Sequence, residues 1–236
     1  MFAQSSPYYD AIYASKDYAA EANTLANVIT ARLGRPGRTL LDVACGTGRH
    51  LEYFRPWLTV EGIDLNEDLL AAARARLPDV TFHAADMRSF DLGRQFEVVT
   101  CLFSAIAYVV TVEGLNAAIA NMARHVAPGG LLIVEPWWPP EKWVVDNRPH
   151  ATFVDRPDLK LARIARSRQS GMVSIIDFSY VIGTPEGIVT YTEEHRTGLF
   201  TIDEQTQAFQ MAGLSVTHDA NGISGRGLFV GVKSAA

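Results

Sequence analysis

The sequence predicts an α/β protein built on a mainly parallel sheet, with an antiparallel sheet inserted late in the chain. Short, continuous apolar segments alternate with helical patterns up to residue 135, which indicates βαβ units buried on both faces. Residues 151–201 instead alternate polar and apolar side chains, and the parallel α/β pattern resumes after them with the last two predicted strands. We therefore expect one domain, 1–236, that carries an antiparallel insertion at 151–201.

Each element of the expected parallel sheet has a local signal. Asp17 can cap a first helix that runs to Leu33, and Gly34 ends it. Apolar runs predict strands at 39–45, 59–65, 80–85, 96–103, 131–135, 214–218 and 228–232. Between them we expect helices that start near residue 48 and span 67–77 and 112–126, and a last helix capped by Asp203 that runs to about 212.

The insertion has the pattern of a sheet that is covered on one side. Met172, Ile176, Phe178, Tyr180 and Ile182 share one parity, so their side chains are expected on one face. Turn signals at Gly171 and at 184–187 separate the strands.

Composition excludes several classes of protein. Of 236 residues, 48% are hydrophobic and 20% charged, which is typical of a globular chain rather than a disordered one. The net charge of −5 argues against a nucleic-acid partner bound through bulk positive charge. Cys45 and Cys101 lie in predicted core strands, so we expect no disulfide scaffold and a cytoplasmic location. No apolar stretch has the length of a membrane span, and no Cys/His cluster predicts a metal.

The turn after the first predicted strand carries a glycine loop, Asp42-Val43-Ala44-Cys45-Gly46-Thr47-Gly48. Glycines let the backbone turn tightly and approach a ligand, and the helix behind the turn offers free N–H groups. Asp64 ends the second strand about 20 residues later, where a carboxylate can accept both hydroxyls of a ribose. The combination predicts a nucleoside cofactor.

Three residues argue against a dinucleotide and for a cationic nucleoside. Leu51 stands where a dinucleotide fingerprint needs Gly or Ala to pack its helix on the strand. Asp42 would repel a pyrophosphate but suits an ammonium group. Asp86 ends the third strand and can accept a proton from an adenine amino group. S-adenosylmethionine has this combination of groups.

With these residues the chain resembles the class I S-adenosylmethionine-dependent methyltransferases, so a Rossmann-like sheet is expected. The resemblance implies that Ala44, Gly46 and Gly48 line the methionine part of the cofactor, and that Asp64 with Leu65 holds the ribose and adenine. It assigns Asp86, Met87 and Phe103 to the cofactor site as well. Ala44 departs from the glycine that this family often has at that position.

Three further segments resemble a narrower family, the N,N-dimethyltransferases of TDP-linked amino-deoxysugars of the desosamine and mycaminose type. They are Lys16-Asp17-Tyr18-Ala19-Ala20-Glu21, Glu135-Pro136-Trp137-Trp138 and Ser224-Gly225-Arg226-Gly227-Leu228-Phe229. The resemblance spans essentially the whole chain. It implies that the acceptor is the amino group of a TDP-amino-deoxysugar used in antibiotic biosynthesis.

The remaining candidate residues follow from their positions. Tyr108 comes after the fourth strand, where we expect it to orient the amine, and Tyr9 is a candidate lid over the cofactor. Arg226, between two glycines, is expected to bind the diphosphate through bidentate hydrogen bonds. The other candidates for substrate contact are Glu135, Trp137, Trp138, His195 and Arg196.

Several alternatives stay open at this point. The acceptor could be another small molecule methylated on nitrogen or oxygen, and a non-catalytic module that binds S-adenosylmethionine is also compatible with the sequence. An NAD-dependent oxidoreductase is disfavoured by Leu51 and Asp42. The sequence leaves the position of the amine (C3 or C4) and the number of methyl groups open. Exposed edges of the inserted sheet make a homodimer plausible.

Overall fold

A seven-stranded sheet forms the centre of the protein. The computed structural model describes residues 4–146 and 148–235. The sheet has the strand order β10-β11-β5-β4-β1-β2-β3. Its strands are β1 (Thr39–Val43), β2 (Thr59–Asp64), β3 (Thr81–Ala84), β4 (Phe96–Cys101), β5 (Val126–Val134), β10 (Leu214–Asp219) and β11 (Leu228–Lys233). A second sheet contains β6 (His150–Asp155), β7 (Lys160–Ser170), β8 (Val173–Thr184) and β9 (Gly187–Gly198), in that order.

Helices cover both faces of the central sheet, and a separate core lies on each face. They are α2 (Tyr18–Leu33), α3 (Arg49–Phe54), α4 (Glu67–Arg76), α5 (Val112–Arg124) and α6 (Ile202–Met211), whereas the short α1 (Tyr9–Ile12) packs on the second sheet. Short 3₁₀ turns occur at Ser6–Tyr8 and Ala105–Val109. None of the helices in the described ranges combines the length and apolar character needed to cross a membrane.

Local sequence explains where these elements begin and how closely they pack. The Asp17 side chain accepts a hydrogen bond from Ala20 N at 2.9 Å and caps α2, as predicted. In β2, a Cβ placed on Gly62 would lie 2.7 Å from both Cys45 Sγ and the Phe82 ring. Only glycine fits there, because the glycine loop and β3 close on this strand from two sides.

Two expectations about the central sheet and one about the last helix are corrected. Only residues 220–227 connect β10 to β11, too few for a crossover helix, so β11 turns back and pairs antiparallel with β10. It is therefore also antiparallel to its other neighbour, β5, rather than parallel. Strand β5 begins at Val126 instead of residue 131, because Val126 already pairs with Phe96 of β4 ahead of an irregularity in the register. The last helix is capped by Thr201, not Asp203, through a capping box with Glu204.

The second sheet has the expected covered face. Phe178, Tyr180 and Ile182 are buried and pack with Leu161 of β7 and with Ile12 of the N-terminal helix α1. Met172 departs from the predicted pattern, because it precedes β8 and is 49% exposed. The chain therefore brings its N-terminal segment onto the inner face of the second sheet.

Candidate active site

A cavity of about 440 Å³ opens at the carboxyl edge of the central strands, within the size range of small-molecule sites. Its floor is formed by residues that follow β1, β2 and β4, and it is covered by α1 and the inner face of the second sheet. The lining residues used below are Tyr9, Tyr13, Ala44, Gly46, Asp64, Leu65, Asn66, Asp86, Met87, Arg88, Phe103, Tyr108, Trp137, Ile176, Phe178, His195 and Arg226.

The glycine loop and Asp64 form one hydrogen-bonded unit at the floor. Asp64 Oδ2 accepts from Gly46 N at 2.8 Å, and Oδ1 accepts from Asn66 N at 2.8 Å. Burial raises the pKa of Asp64, although these backbone N–H groups oppose the rise. Each carboxylate oxygen has a second lone-pair position. Asp64 can therefore still accept hydrogen bonds from a ribose.

The backbone at this floor leaves room for a ligand. A Cβ placed on Gly46 would meet no atom within 4 Å. Ala44 has φ 59°, in the left-handed region that glycine enters without strain, which explains why glycine suits this position in the resembling family. The floor thus fits the methionine and ribose parts of S-adenosylmethionine.

At the adenine end of the predicted site, Asp86 is already paired with a neighbouring side chain. Arg88 forms a bidentate pair with Asp86, at 3.0 Å from Nε to Oδ1 and 2.5 Å from Nη2 to Oδ2. The Arg88 guanidinium holds the pKa of Asp86 below its usual value. Leu65 and Met87 line the same end with apolar surface. Asp86 is therefore ionised and available as an acceptor.

Two residues predicted for the cofactor lie outside the cavity lining. Gly48 is the N-cap of α3, and a Cβ there would contact Ala73, Leu77 and Phe82 rather than open space. Asp42 lies inside β1, only 2% exposed, and accepts a hydrogen bond from Thr100 Oγ1 at 2.7 Å. Burial raises the pKa of Asp42 from 3.8 to about 6. Asp42 is thus a buried carboxylate beneath the site.

Because the folded protein binds the Asp42 proton more tightly than the unfolded chain, ionisation of Asp42 costs stability as pH rises through about 6. We expect Asp42→Asn to raise the free energy of unfolding at neutral pH, by up to roughly 3 kcal/mol. The gain should fade between about pH 6 and pH 4 and be absent below, where Asp42 is protonated in both states. Urea unfolding of both proteins at a series of pH values measures the difference in the free energy of unfolding. An equal difference at every pH would contradict the prediction.

Polar contacts hold the N-terminal segment over the cavity. Asp10 of α1 accepts from Thr47 Oγ1 at 2.7 Å and pairs with Arg76 of α4. Within the cavity Tyr9 contacts Tyr13, with ring centroids 4.8 Å apart, and Tyr13 meets the edge of Phe103. Tyr9 therefore lies where a lid residue was predicted.

At the other end of the cavity, Tyr108 contacts the second sheet. Its hydroxyl lies 2.8 Å from His195 Nδ1, and His195 Nε2 lies 3.5 Å from Glu193 Oε2. His195 is 3% exposed, and burial lowers its pKa. The structure thus joins Tyr108 to His195, two candidates that the sequence gave no reason to connect.

Glu135 connects the loop that carries Arg226 to the turn that follows β4. Glu135 is 0% exposed. Its Oε1 accepts hydrogen bonds from Arg226 Nη2 at 2.8 Å and from Ser224 Oγ. Its Oε2 accepts a hydrogen bond from Phe103 N at 2.6 Å. Phe103 and Ser104 both have positive φ, 53° and 60°. Glu135 does not line the cavity; it holds Arg226 against the Phe103 ring, 5.5 Å from guanidinium carbon to centroid.

Of the other residues predicted to contact the substrate, one lines the cavity and two do not. Trp137 lines the cavity and donates from Nε1 to Ser174 Oγ at 3.0 Å. Trp138 is half-buried outside the lining. Arg196 is exposed on β9 and pairs with Glu194 at 3.3 Å, because its side chain points away from the face that carries His195.

Several lining residues escaped prediction although the sequence held a signal for them. Tyr13 caps the end of α1 four residues after Tyr9, a spacing that places the two side chains on the same side. Ile176 and Phe178 belong to the covered face of β8, but the pattern could not say that a cavity lies under part of it. Within the described residues, no group of three His, Cys, Asp or Glu side chains is placed to hold a metal ion.

Comparison with known proteins agrees with this geometry. The family described as "Methyltransferase domain" matches residues 40–130. The chain is 43% identical to the dTDP-3-amino-3,4,6-trideoxy-alpha-D-glucopyranose N,N-dimethyltransferase of Streptomyces venezuelae, over 96% of each chain. It is 40% identical to the dTDP-4-amino-2,3,4,6-tetradeoxy-D-glucose N,N-dimethyltransferase of Saccharopolyspora spinosa, over 96% of this chain and 91% of the relative.

A solved structure agrees over the whole fold. The amino pentose methyltransferase of calicheamicin biosynthesis from Micromonospora echinaspora, solved with S-adenosylmethionine bound, superposes with a TM-score of 0.86 at 40% identity and 96% coverage of both chains. Together the fold and the floor of the cavity define a class I S-adenosylmethionine-dependent methyltransferase. Within that class, the chain belongs to the N,N-dimethyltransferases of dTDP-linked amino-deoxysugars.

Proposed function

We propose that this enzyme methylates the amino group of a dTDP-linked amino-deoxysugar, adding two methyl groups, in the biosynthesis of an antibiotic sugar. The observation that carries the proposal is one cavity that joins the two predicted halves of the site. Gly46 and Asp64 form its cofactor end, while Tyr108, Trp137 and Arg226 form an acceptor end. The full-length similarity to two sugar N,N-dimethyltransferases supports the same acceptor.

When bound, S-adenosylmethionine supplies an electrophilic methyl group. Asp64 and the backbone around Gly46 and Ala44 would hold it, with Leu65 and Met87 beside its adenine. Tyr9 and Tyr13 shield this end of the cavity from water. Because methyl transfer to an amine develops no oxyanion, the protein contributes chiefly by bringing the amine into line.

Arg226 supports a diphosphate-linked acceptor. Its guanidinium has five N–H donors, and Glu135 accepts from Nη2. Among the described residues no group accepts from the buried Nε. The Arg226 side chain is 15% exposed, so guanidinium donors remain accessible to an anion at the acceptor end, beside the Trp137 ring at 5.8 Å.

Mass spectrometry of products tests the proposal. The enzyme is incubated with S-adenosylmethionine and matched dTDP-3-amino and dTDP-4-amino sugars, together with the same amino sugars lacking the nucleotide. We expect one isomer to gain two methyl groups and the nucleotide-free sugars to react poorly. Equal methylation of the free sugars, or none of any sugar, would instead favour the alternative of another small-molecule acceptor.

The proposal also covers the domain organisation, the location and the partners of the chain. A single domain spanning 1–236, a cytoplasmic location and the absence of a nucleic-acid partner are expected, together with a homodimer. The buried free thiols of Cys45 and Cys101 suit a reducing compartment, and the net charge of −5 disfavours nucleic acid.

A further inference from the structure

Three side chains form a line, buried at His195 and Glu193, that leads from the acceptor end of the cavity to the N-terminal segment. Tyr108 lies in the 3₁₀ turn after β4, and His195 and Glu193 alternate with Glu194 on β9. The Tyr108 hydroxyl is 2.8 Å from His195 Nδ1, and His195 Nε2 is 3.5 Å from Glu193 Oε2. The His195 and Glu193 side chains are 4% and 7% exposed.

The carboxylate at the end of this line is held ionised. Glu193 Oε1 accepts from Gln4 N at 2.8 Å and Ser5 N at 3.0 Å, and Oε2 accepts from Ser5 Oγ at 2.7 Å. Burial alone would raise the pKa of Glu193, but these hydrogen bonds and the one from His195 hold it below its ordinary value. An ionised carboxylate only accepts hydrogen bonds.

This carboxylate determines the tautomer of the histidine. Burial lowers the pKa of His195, so the ring is neutral at neutral pH despite the attraction of Glu193. A neutral imidazole has one N–H, and the nitrogen that faces a carboxylate keeps it. The proton therefore lies on Nε2, and Nδ1 must accept from the Tyr108 hydroxyl.

We propose that Glu193 and His195 are positioning residues for Tyr108, a proposal that rests on the proposed function. They make the Tyr108 hydroxyl donate its hydrogen bond to His195. The Tyr108 oxygen then presents a lone pair to the acceptor amine. An N–H of the amine then donates to Tyr108, which fixes the direction of the nitrogen lone pair. This role differs from a direct contact between His195 and the substrate.

Nitrogen NMR of the protein labelled with ¹⁵N-histidine reads the tautomer without any turnover. We expect His195, assigned by loss of its signals in His195→Asn, to carry its proton on Nε2. In Glu193→Gln the preference should weaken. A proton on Nδ1 in the unaltered protein overturns the proposal, whatever the enzyme's substrate is.

Steady-state kinetics on a sugar accepted in the product assay provides the second readout. We expect Glu193→Gln to lower kcat by about 10-fold, the loss of one charge-assisted hydrogen bond, with the KM for S-adenosylmethionine unchanged. Glu194→Gln is the matched control, because Glu194 lies on the same strand and is exposed, paired with Arg168 and Arg196. It should keep the parent kcat.

A double-mutant cycle separates positioning from folding. If Glu193 acts through Tyr108, Tyr108→Phe should lower kcat by a similar factor, and the double variant should lose no more than Tyr108→Phe alone. Additive losses would overturn the proposal. If no amino sugar is methylated at all, the proposed function fails, and the NMR measurement still decides the tautomer on its own.

Discussion

Arg226→Ala is expected to raise the KM for a dTDP-amino sugar by about 10-fold or more, because a charge-assisted pair with the diphosphate contributes roughly 1.5–3 kcal/mol. The affinity for S-adenosylmethionine should change little, since that cofactor carries no phosphate. Arg226→Lys should recover only part of the loss, because an ammonium cannot make the two-pronged contact. Initial rates against both substrates, with calorimetry for the cofactor, measure these effects.

The same substitution should also destabilise the fold. Removing Arg226 leaves the Glu135 carboxylate, which is 0% exposed, without its positive partner. Loss of one member of a buried pair typically costs about 3–5 kcal/mol.

The double variant Arg226→Ala with Glu135→Gln separates the two roles. It should regain much of the stability, because no buried charge is left unpaired, but it should keep the high KM. A double variant that also restored the KM would show that Arg226 serves Glu135 alone. The main residue-level support for a nucleotide-linked acceptor would then be lost.

Asp64→Ala is expected to weaken S-adenosylmethionine binding by about 10- to 100-fold, since a hydrogen bond to a charged acceptor contributes roughly 1.5–3 kcal/mol. The variant loses the acceptor for the ribose. It also frees Gly46 N and Asn66 N, which donate to the two Asp64 oxygens, so the floor of the cavity loses its fixed geometry. Calorimetric titration of the purified variant gives the dissociation constant directly.

Asp64→Asn is the matched control for this prediction, because its amide keeps the size and one acceptor oxygen while losing the charge. We expect an affinity between those of the parent and the alanine variant. An unchanged dissociation constant for Asp64→Ala would contradict the assignment of Asp64 to the ribose. NAD should bind to none of the three proteins, given Leu51 and the absence of a phosphate cradle in the sequence pattern.

The order and type of the elements were predictable from local patterns, because strand and helix periods and caps depend on neighbouring residues. Asp17 as the cap of α2 and the covered parity of Phe178, Tyr180 and Ile182 are confirmed. The prediction that β11 would be parallel was wrong. The direction of a strand depends on how its connection crosses the sheet, and the apolar pattern of Leu228–Lys233 is the same either way.

The sequence by itself was enough to predict which residues meet at the proposed cofactor end of the site. Gly46, Asp64 and Asp86 follow three successive strands, and parallel strands bring such positions to one edge of the sheet. The position of Asp42 could not be predicted in the same way. Side chains alternate along a strand, and the sequence pattern does not show that the Asp42 carboxylate turns toward Thr100 beneath the cavity.

Only the tertiary structure decided how the side chains at the proposed acceptor end are joined. Tyr108 and His195 are 87 residues apart, and Glu135 and Arg226 are 91 apart, yet each pair is joined by a hydrogen bond of 2.8 Å. No local period encodes such contacts, because they arise where the second sheet and the loop before β11 fold back over the central strands. A buried charge or hydroxyl must find a partner there, and only folding determines which one it meets.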